Sequence, residues 1–344
     1  MKFKKYNSII NINKSVYTEQ PLPGGVWFVT EKIHGSNLSF MVTKDDIKVC
    51  SRNQVLDKDS QYYNIAKNIS DDIFQKLRRL FEVMHYILPT KDGAGDRQLE
   101  QVTVYGELAG GYYNNKSNGT RIQKEVQYSP FNFFIGFDIC LFYSGDTNTT
   151  SCYLSKSDVF HILNIVGIPH VPILYCGERE AAMNFNPNCQ TVVPNMFKLD
   201  PIDDNIMEGA VISPNETAYF PDGERIIFKK VNDKFHENKS IKNKPVKISE
   251  EVSEEFKIAA NEIISLINEN RLSNILSHYS DLTEKDFGTI LKEMNKDVQQ
   301  DWRLSTDRHI ISSLTKEEMK ALSKLINTYC ARLIREVWLP TVTA

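Results

Sequence analysis

An α+β fold with a mixed N-terminal part and an all-helical C-terminal part is predicted, and three observations carry that prediction. Short β-rich runs joined by turns fill the chain to about residue 235, with helical spacing only between them. A lysine-rich stretch then breaks the pattern. Beyond it, apolar residues recur at helical intervals. Strands joined mostly by turns, without regular alternation with helices, point away from a doubly wound parallel sheet.

VWFVTEK, NLSFMV and DIKVCSR predict three consecutive strands within residues 26–52. SDDIFQKLRRLFEVMHYI predicts a helix with Ile73, Leu77, Leu80, Phe81 and Met84 on one face and Ser70-Asp71-Asp72 as its start signal. QVTVYGEL and FNFFIGFDIC read as strands, SKSDVFHILNIVG as a helix closed by Gly167, and EGAVIS and ERIIFKK as further strands. Residues 229–249 hold seven lysines against two acids, a solvated connector by composition. Ser249 is positioned to cap a helix whose stripe is Val252, Phe256, Ala259, Ile263 and Ile267. Thr283 with Asp286, and Thr315 with Glu318, are spaced as capping pairs for two later helices. The predicted organisation is a domain over 1–235, a basic linker over 236–248 and a helical domain over 249–344.

At 344 residues the chain is long for one core, and 41% hydrophobic with 25% charged residues is a globular balance. A net charge of −3 excludes binding of a polyanion by bulk positive charge, so any such site must be local. Six cysteines without a CxxC pair indicate neither a zinc site nor a disulfide framework. No apolar run reaches the roughly 18 residues that suggest a membrane span, and the polar start lacks a signal-peptide core. A cytoplasmic chain without membrane partners, monomeric by default, is expected.

TEKIHGSNLSF places Lys32, His34 and Gly35 in a turn after the apolar run VWFV. A lysine after a strand is usually solvated, so this segment alone is a weak signal. It gains weight from charged residues farther along the chain: Arg52 in VCSRNQ, Glu107 in VYGELAGG, Asp138 in FIGFDI, Glu208 in EGAVIS, and Lys229-Lys230 in RIIFKKV. Each charged group adjoins or ends an apolar β-like run, where a rigid edge can hold it accurately. Together they offer a nucleophile, carboxylates suited to a metal and cations suited to phosphates.

In that order the segments resemble the covalent nucleotidyltransferases, specifically the ATP-dependent RNA ligases of the phage RNA ligase 2 type. KIHGSN is similar to the nucleophile motif, and YGELAG, FDI, EGAVIS and IIFKKV to the motifs that come after it in the family. KFKKYNSI, RIQKEVQY and LTEKDFG extend the resemblance over nearly the whole chain. It implies an N-terminal nucleotidyltransferase domain of ATP-grasp-like build, antiparallel sheets with flanking helices, and a small helical domain. It also implies ATP and Mg2+ or Mn2+ as cofactors, and as partner a nicked or bridged RNA duplex with 5′-phosphate and 3′-hydroxyl ends. An amine attacks phosphorus only when neutral, whereas an unperturbed lysine, with a pKa of about 10.4, is almost wholly protonated at neutral pH. Partial burial, nearby cations and a metal favour the neutral form.

The resemblance also implies a role for each residue. Glu31, Lys32 and Ile33 sit at the nucleotide, with Lys32 as nucleophile and His34 assisting phosphate chemistry. Asn37 and Arg52 contact ribose or a phosphate, Glu107 binds ribose hydroxyls and Phe137 stacks on adenine. Asp138 and Glu208 are the metal-side carboxylates. Lys229 and Lys230 meet the α-phosphate, and Arg271 and Asp297 correspond to residues needed for sealing. Simpler readings stand beside them: Phe137 as core, His34 and Asn37 as turn formers, Arg52, Arg271 and Asp297 as surface charges. Two departures are visible. The family's last motif separates its two lysines by one residue, whereas here they are adjacent and Val231 fills the second slot, and Ser213 stands where a lysine is usual. Rival readings are a DNA ligase, a GTP-using guanylyltransferase and an inactive RNA-binding descendant of a ligase.

Overall fold

The computed structural model describes residues 1–12, 16–58, 66, 69, 73–91, 98–144, 150–232, 235, 253–276, 279, 282–306 and 308–342. The predicted start signal at 70–72, the linker 236–248, Ser249 and Val252 lie outside them. The chain divides into two compact units, Met1–Ser8 with Pro23–Ile227, and Ile9–Leu22 with Phe228–Ala344.

In the first unit, five antiparallel strands run in the order Ile47–Ser51, Ser36–Val42, Gln98–Tyr112, Ser129–Ser144, Thr150–Tyr153. A second antiparallel group centres on Trp27–Lys32, flanked by Ile173–Gly177 and Gly209–Pro214. Leu38, Phe40 and Val42 on one face and Ser39 and Met41 on the other are all buried, so both faces of this strand are covered. Helix Ile73–Lys91 buries the predicted stripe of Ile73, Leu77, Leu80, Phe81 and Met84. Helix Lys156–Val166 opens on Ser155, whose hydroxyl accepts from the Asp158 N–H at 3.2 Å.

One irregularity positions a predicted site residue. Tyr105 pairs with Asp138 and Gly106 with Gly136, which leaves Phe137 as an extra, unpaired residue. Such a bulge breaks the alternation of side chains and re-aims them locally. Tyr6 meets both neighbours: its ring lies edge-on to Phe137 at 4.9 Å, and its hydroxyl reaches Asp138.

The second unit is mainly helical. Helices Glu254–Leu266, Glu269–Leu276, Phe287–Ser305 and Lys316–Leu333 bury a shared core that includes Phe256, Ile263, Met294, Trp302, Leu322 and Ile326. Ser253 caps the first helix, its hydroxyl accepting from the Phe256 N–H and donating to Glu318 at 2.6 Å. The Thr315–Glu318 capping box forms reciprocally, at 2.9 and 3.1 Å. Thr283 and Asp286 frame a single tight turn that leads into Phe287–Ser305. A short parallel pair, Ile10–Asn11 with Phe228–Lys229, completes this unit. Among the described residues, no helix is long and apolar enough to cross a membrane.

Candidate active site

Lys32 ends the Trp27–Lys32 strand, and Ser36 begins a strand of the five-stranded sheet. Three residues therefore carry the chain from one sheet to the other, and the predicted nucleophile stands at that crossing. Register brings its neighbours. Lys32 pairs with Gly209, which sets Glu208 beside it. Asn37 pairs with Glu107 and Leu38 with Ser51, so Arg52 stands one residue beyond the last of these pairs.

Gly35 makes the crossing possible. A Cβ there would lie 2.5 Å from the Leu108 carbonyl oxygen and 2.7 Å from Glu107 Cγ, and a backbone oxygen cannot swing away as a flexible side chain can. Gly35→Ala is expected to cost about 1–3 kcal/mol, the usual range for overpacking. Displacing the turn by about 1 Å should also slow any chemistry at Lys32 by about a hundredfold. Thermal melting with an adenylation assay checks this, and unchanged values in both would contradict the packing.

Lys32 Nζ donates to Glu208 Oε1 at 2.6 Å, with the lysine about one-fifth exposed (21%). His34 is buried, its Nε2 2.9 Å from Glu125 Oε2 and its Nδ1 3.6 Å from Glu208 Oε2. Burial disfavours its charge, but the contacts with the Glu125 and Glu208 carboxylates outweigh that and push His34 up to about 9. Glu125 falls to about 2, chiefly through the hydrogen bond from His34. Burial acts to raise Glu208, yet Lys32 and His34 together pull it down to about 2. Glu107, which feels Lys32, Glu208, Arg52 and His34, is instead pushed by desolvation up to about 7. Lys32, His34, Arg52, Glu107 and Glu208 thus form one electrostatic group.

Glu31 points elsewhere. Its buried carboxylate accepts from the Thr191 hydroxyl and, at 3.0 Å, from the Val192 N–H, and burial pushes it up to about 7. Ile33 is buried in the turn.

Asp138 does not join the Lys32 group. It is fully buried, and its Oδ2 accepts from Arg225 at 2.7 Å, Tyr6 at 2.8 Å and Lys156 at 3.0 Å. Burial opposes its charge, but the Arg225 and Lys156 cations win and hold it below the ordinary carboxylate range. In this structure the carboxylate is spent on two buried cations and serves as their internal counter-ion.

Within the second unit, Lys229 lies 3.8 Å from Asp301, and Arg271 bridges Asp297 and Asp301. Arg271 and Asp297 are therefore partners of each other. Lys230 comes directly after Lys229 in the Phe228–Val231 strand and, by alternation, faces the other way.

A divalent ion has a limited foothold here. Glu208 Oε2 is buried and makes no hydrogen bond, its ion-pair partner His34 Nδ1 standing off at 3.6 Å. Among the described residues, no three His, Cys, Asp or Glu side chains converge to hold a metal. Such a donor set fits an ion held by one carboxylate, with phosphate oxygens and water supplying the rest, as is usual for Mg2+. Sequence reasoning alone does not single out Glu125, Thr191, Lys156 or Arg225. The signal available was Asp138 itself, an acid inside an apolar strand that must find a partner.

Residues 25–231 match the family model described as RNA ligase, and residues 249–332 match the one described as T4 RNA ligase 2 C-terminal. The first match alone spans more than half of the chain, which belongs to the RNA ligase family. Among solved structures the chain is similar to Naegleria gruberi RNA ligase with PPi, at 19% identity and a TM-score of 0.43, covering 68% of this chain and 57% of that one. A mutant of that ligase with ATP and Mn gives 18% identity and a TM-score of 0.41, with 68% and 57% covered. The chain thus spans less than two thirds of the length of these relatives.

Proposed function

We propose that this chain is an ATP-dependent RNA ligase that seals breaks in duplex RNA, nicked or bridged by a complementary strand. Lys32 Nζ attacks the α-phosphorus of ATP, forming the N–P bond as the bond to pyrophosphate breaks. The AMP passes to the 5′-phosphate of an RNA strand, freeing Lys32. A 3′-hydroxyl then attacks that phosphorus, and AMP leaves as the phosphodiester closes. The observation that carries this reading is Lys32 paired with Glu208 at the crossing between the sheets, in a chain of the RNA ligase family.

The residues divide the work. The Lys32–Glu208 ion pair has to be given up before the amine attacks, and Glu208 Oε2 is the oxygen that would hold Mg2+ or Mn2+. The ion, when bound, neutralises phosphate charge. His34, kept cationic between Glu125 and Glu208, stabilises a phosphate without removing a proton from the nucleophile. Glu107, Asn37 and Arg52 meet the ribose and phosphates, and Phe137, held at the bulge by Tyr6, stacks on adenine. The chain acts as a monomer, with ATP and a divalent ion as cofactors. A-form duplex is held through phosphates and 2′-hydroxyls, so binding weakens with salt.

Incubation with ATP or GTP labelled in the α-phosphate, with the products resolved on denaturing gels, tests the reading. Label from ATP is expected on the protein; label from GTP alone would overturn it. Lys230→Ala is expected to slow this first step about a hundredfold or more, the scale for losing one contact to transition-state charge. Lys229 and Lys230 are both assigned to the α-phosphate, with Lys230 standing in for the family's second lysine. Near-normal adenylation of that variant would leave the role to Lys229.

A further inference from the structure

Between the strands Gln98–Tyr112 and Ser129–Ser144 the chain forms a surface hairpin, YNNKSNGTRIQK, over residues 113–124. Over residues 113–124 it carries Lys116, Arg121 and Lys124 and no acid, in a protein whose net charge is −3, and Glu125, whose Oε2 accepts from the Lys124 N–H at 3.1 Å, comes directly after it. All three cations are exposed, and among the described residues no carboxylate pairs with any of them.

The hairpin is nonetheless tightly ordered. Tyr113 and Lys116 exchange both backbone hydrogen bonds at 2.9 Å, across Asn114 and Asn115 in the left-handed region at φ 46° and 62°. The Asn132 side chain clamps Thr120, accepting from its N–H at 2.8 Å and donating to its carbonyl at 2.7 Å. The Ser117 hydroxyl donates to the Gly111 carbonyl at 2.7 Å, and a Cβ on Gly111, at φ 92°, would lie 2.1 Å from the Thr120 oxygen. Arg121 is held over the Tyr112 ring at 4.2 Å, with Nη2 donating to the Lys124 carbonyl at 2.8 Å. These contacts fix the positions of the hairpin's polar groups, which lowers the ordering cost for any ligand that meets them.

Its far end touches the reactive turn. Gln123 Nε2 donates to the Gly35 carbonyl at 3.2 Å, and Glu125 holds His34 at 2.9 Å. We propose that this hairpin grips the phosphate backbone of the RNA next to the reacting end, with Lys116 and Lys124 as phosphate contacts and Arg121, stacked on Tyr112, between them. The proposal rests on the RNA ligase reading. It adds a cationic surface supplied by the first unit itself. Cations beside a stacked aromatic suit a nucleic-acid strand better than an acidic protein surface.

The test uses the full chain and a nicked RNA duplex, with affinity read by fluorescence anisotropy from about 50 to 200 mM salt, the range over which phosphate contacts register. For Lys116→Gln with Lys124→Gln, the slope of log affinity against log salt should become shallower by roughly two, about 0.9 per lost phosphate contact. Lys116→Glu with Lys124→Glu should weaken binding further. Adenylation by ATP without RNA should be unchanged in both variants, which also shows that they are folded. Unchanged affinity and salt slope, in a chain that adenylates normally, would overturn the hairpin's role. If the unsubstituted chain neither adenylates nor binds RNA, the ligase reading fails and the hairpin proposal with it.

Discussion

Lys32→Ala is expected to leave no covalent nucleotide on the chain after incubation with ATP and Mg2+, while sealing of RNA already carrying a 5′-adenylate persists. The two outcomes separate because the last step makes and breaks bonds only on the RNA: the 3′-hydroxyl attacks, AMP leaves, and the lysine forms no bond. Lys32→Arg sharpens the test. Arginine retains a cation for Glu208, so the ion pair seen at 2.6 Å can re-form. A guanidinium does not lose its proton at usable pH and cannot act as the nucleophile. Loss of adenylation in both variants identifies the amine, and not the charge, as the requirement. Survival of adenylation in either would place the nucleophile elsewhere.

The largest effect on stability is expected at Asp138. Asp138→Asn removes the carboxylate that faces Arg225, Lys156 and Tyr6, leaving two buried cations without it. Breaking a buried pair in this way costs about 3–5 kcal/mol. In a unit of about 200 residues, each kcal/mol moves Tm by roughly 2–4 °C, so a fall of about 10 °C is expected. Adenylation should fall as well, since Tyr6, which packs on Phe137, loses the carboxylate that holds its hydroxyl. An unchanged Tm combined with a higher requirement for divalent metal would instead make Asp138 a metal ligand.

The ease with which these features are read from sequence tracks how local their causes are. The Ile73–Met84 stripe and the Thr315–Glu318 capping box are short-range, and both stand in the structure as their spacing implies. Two serines, Ser249 and Ser253, precede acids at the start of the first C-terminal helix. Ser253 caps the described helix, and its hydroxyl also binds Glu318, 65 residues away, a contact that no local window contains.

The site divides in the same way. Lys32, Glu107 and Glu208 were legible because each adjoins a glycine or a turn at the end of an apolar run, where a charge needs a reason. Their convergence was not legible, because it depends on the register that sets Lys32 opposite Gly209 and Asn37 opposite Glu107. Asp138 reads in the sequence as a metal-side carboxylate, whereas the two cations it meets lie 18 and 87 residues along the chain, and no spacing rule names them. The bulge at Phe137 is likewise a property of pairing, invisible in FIGFDI read alone.

The central claim is that Lys32 becomes covalently bonded to AMP. Intact-mass measurement after mixing the chain with ATP and Mg2+, combined with peptide mapping, tests it most directly. A mass increase of one AMP located on the peptide containing Lys32 is the predicted result. No increase, or an adenylate mapped to any other residue, would contradict it.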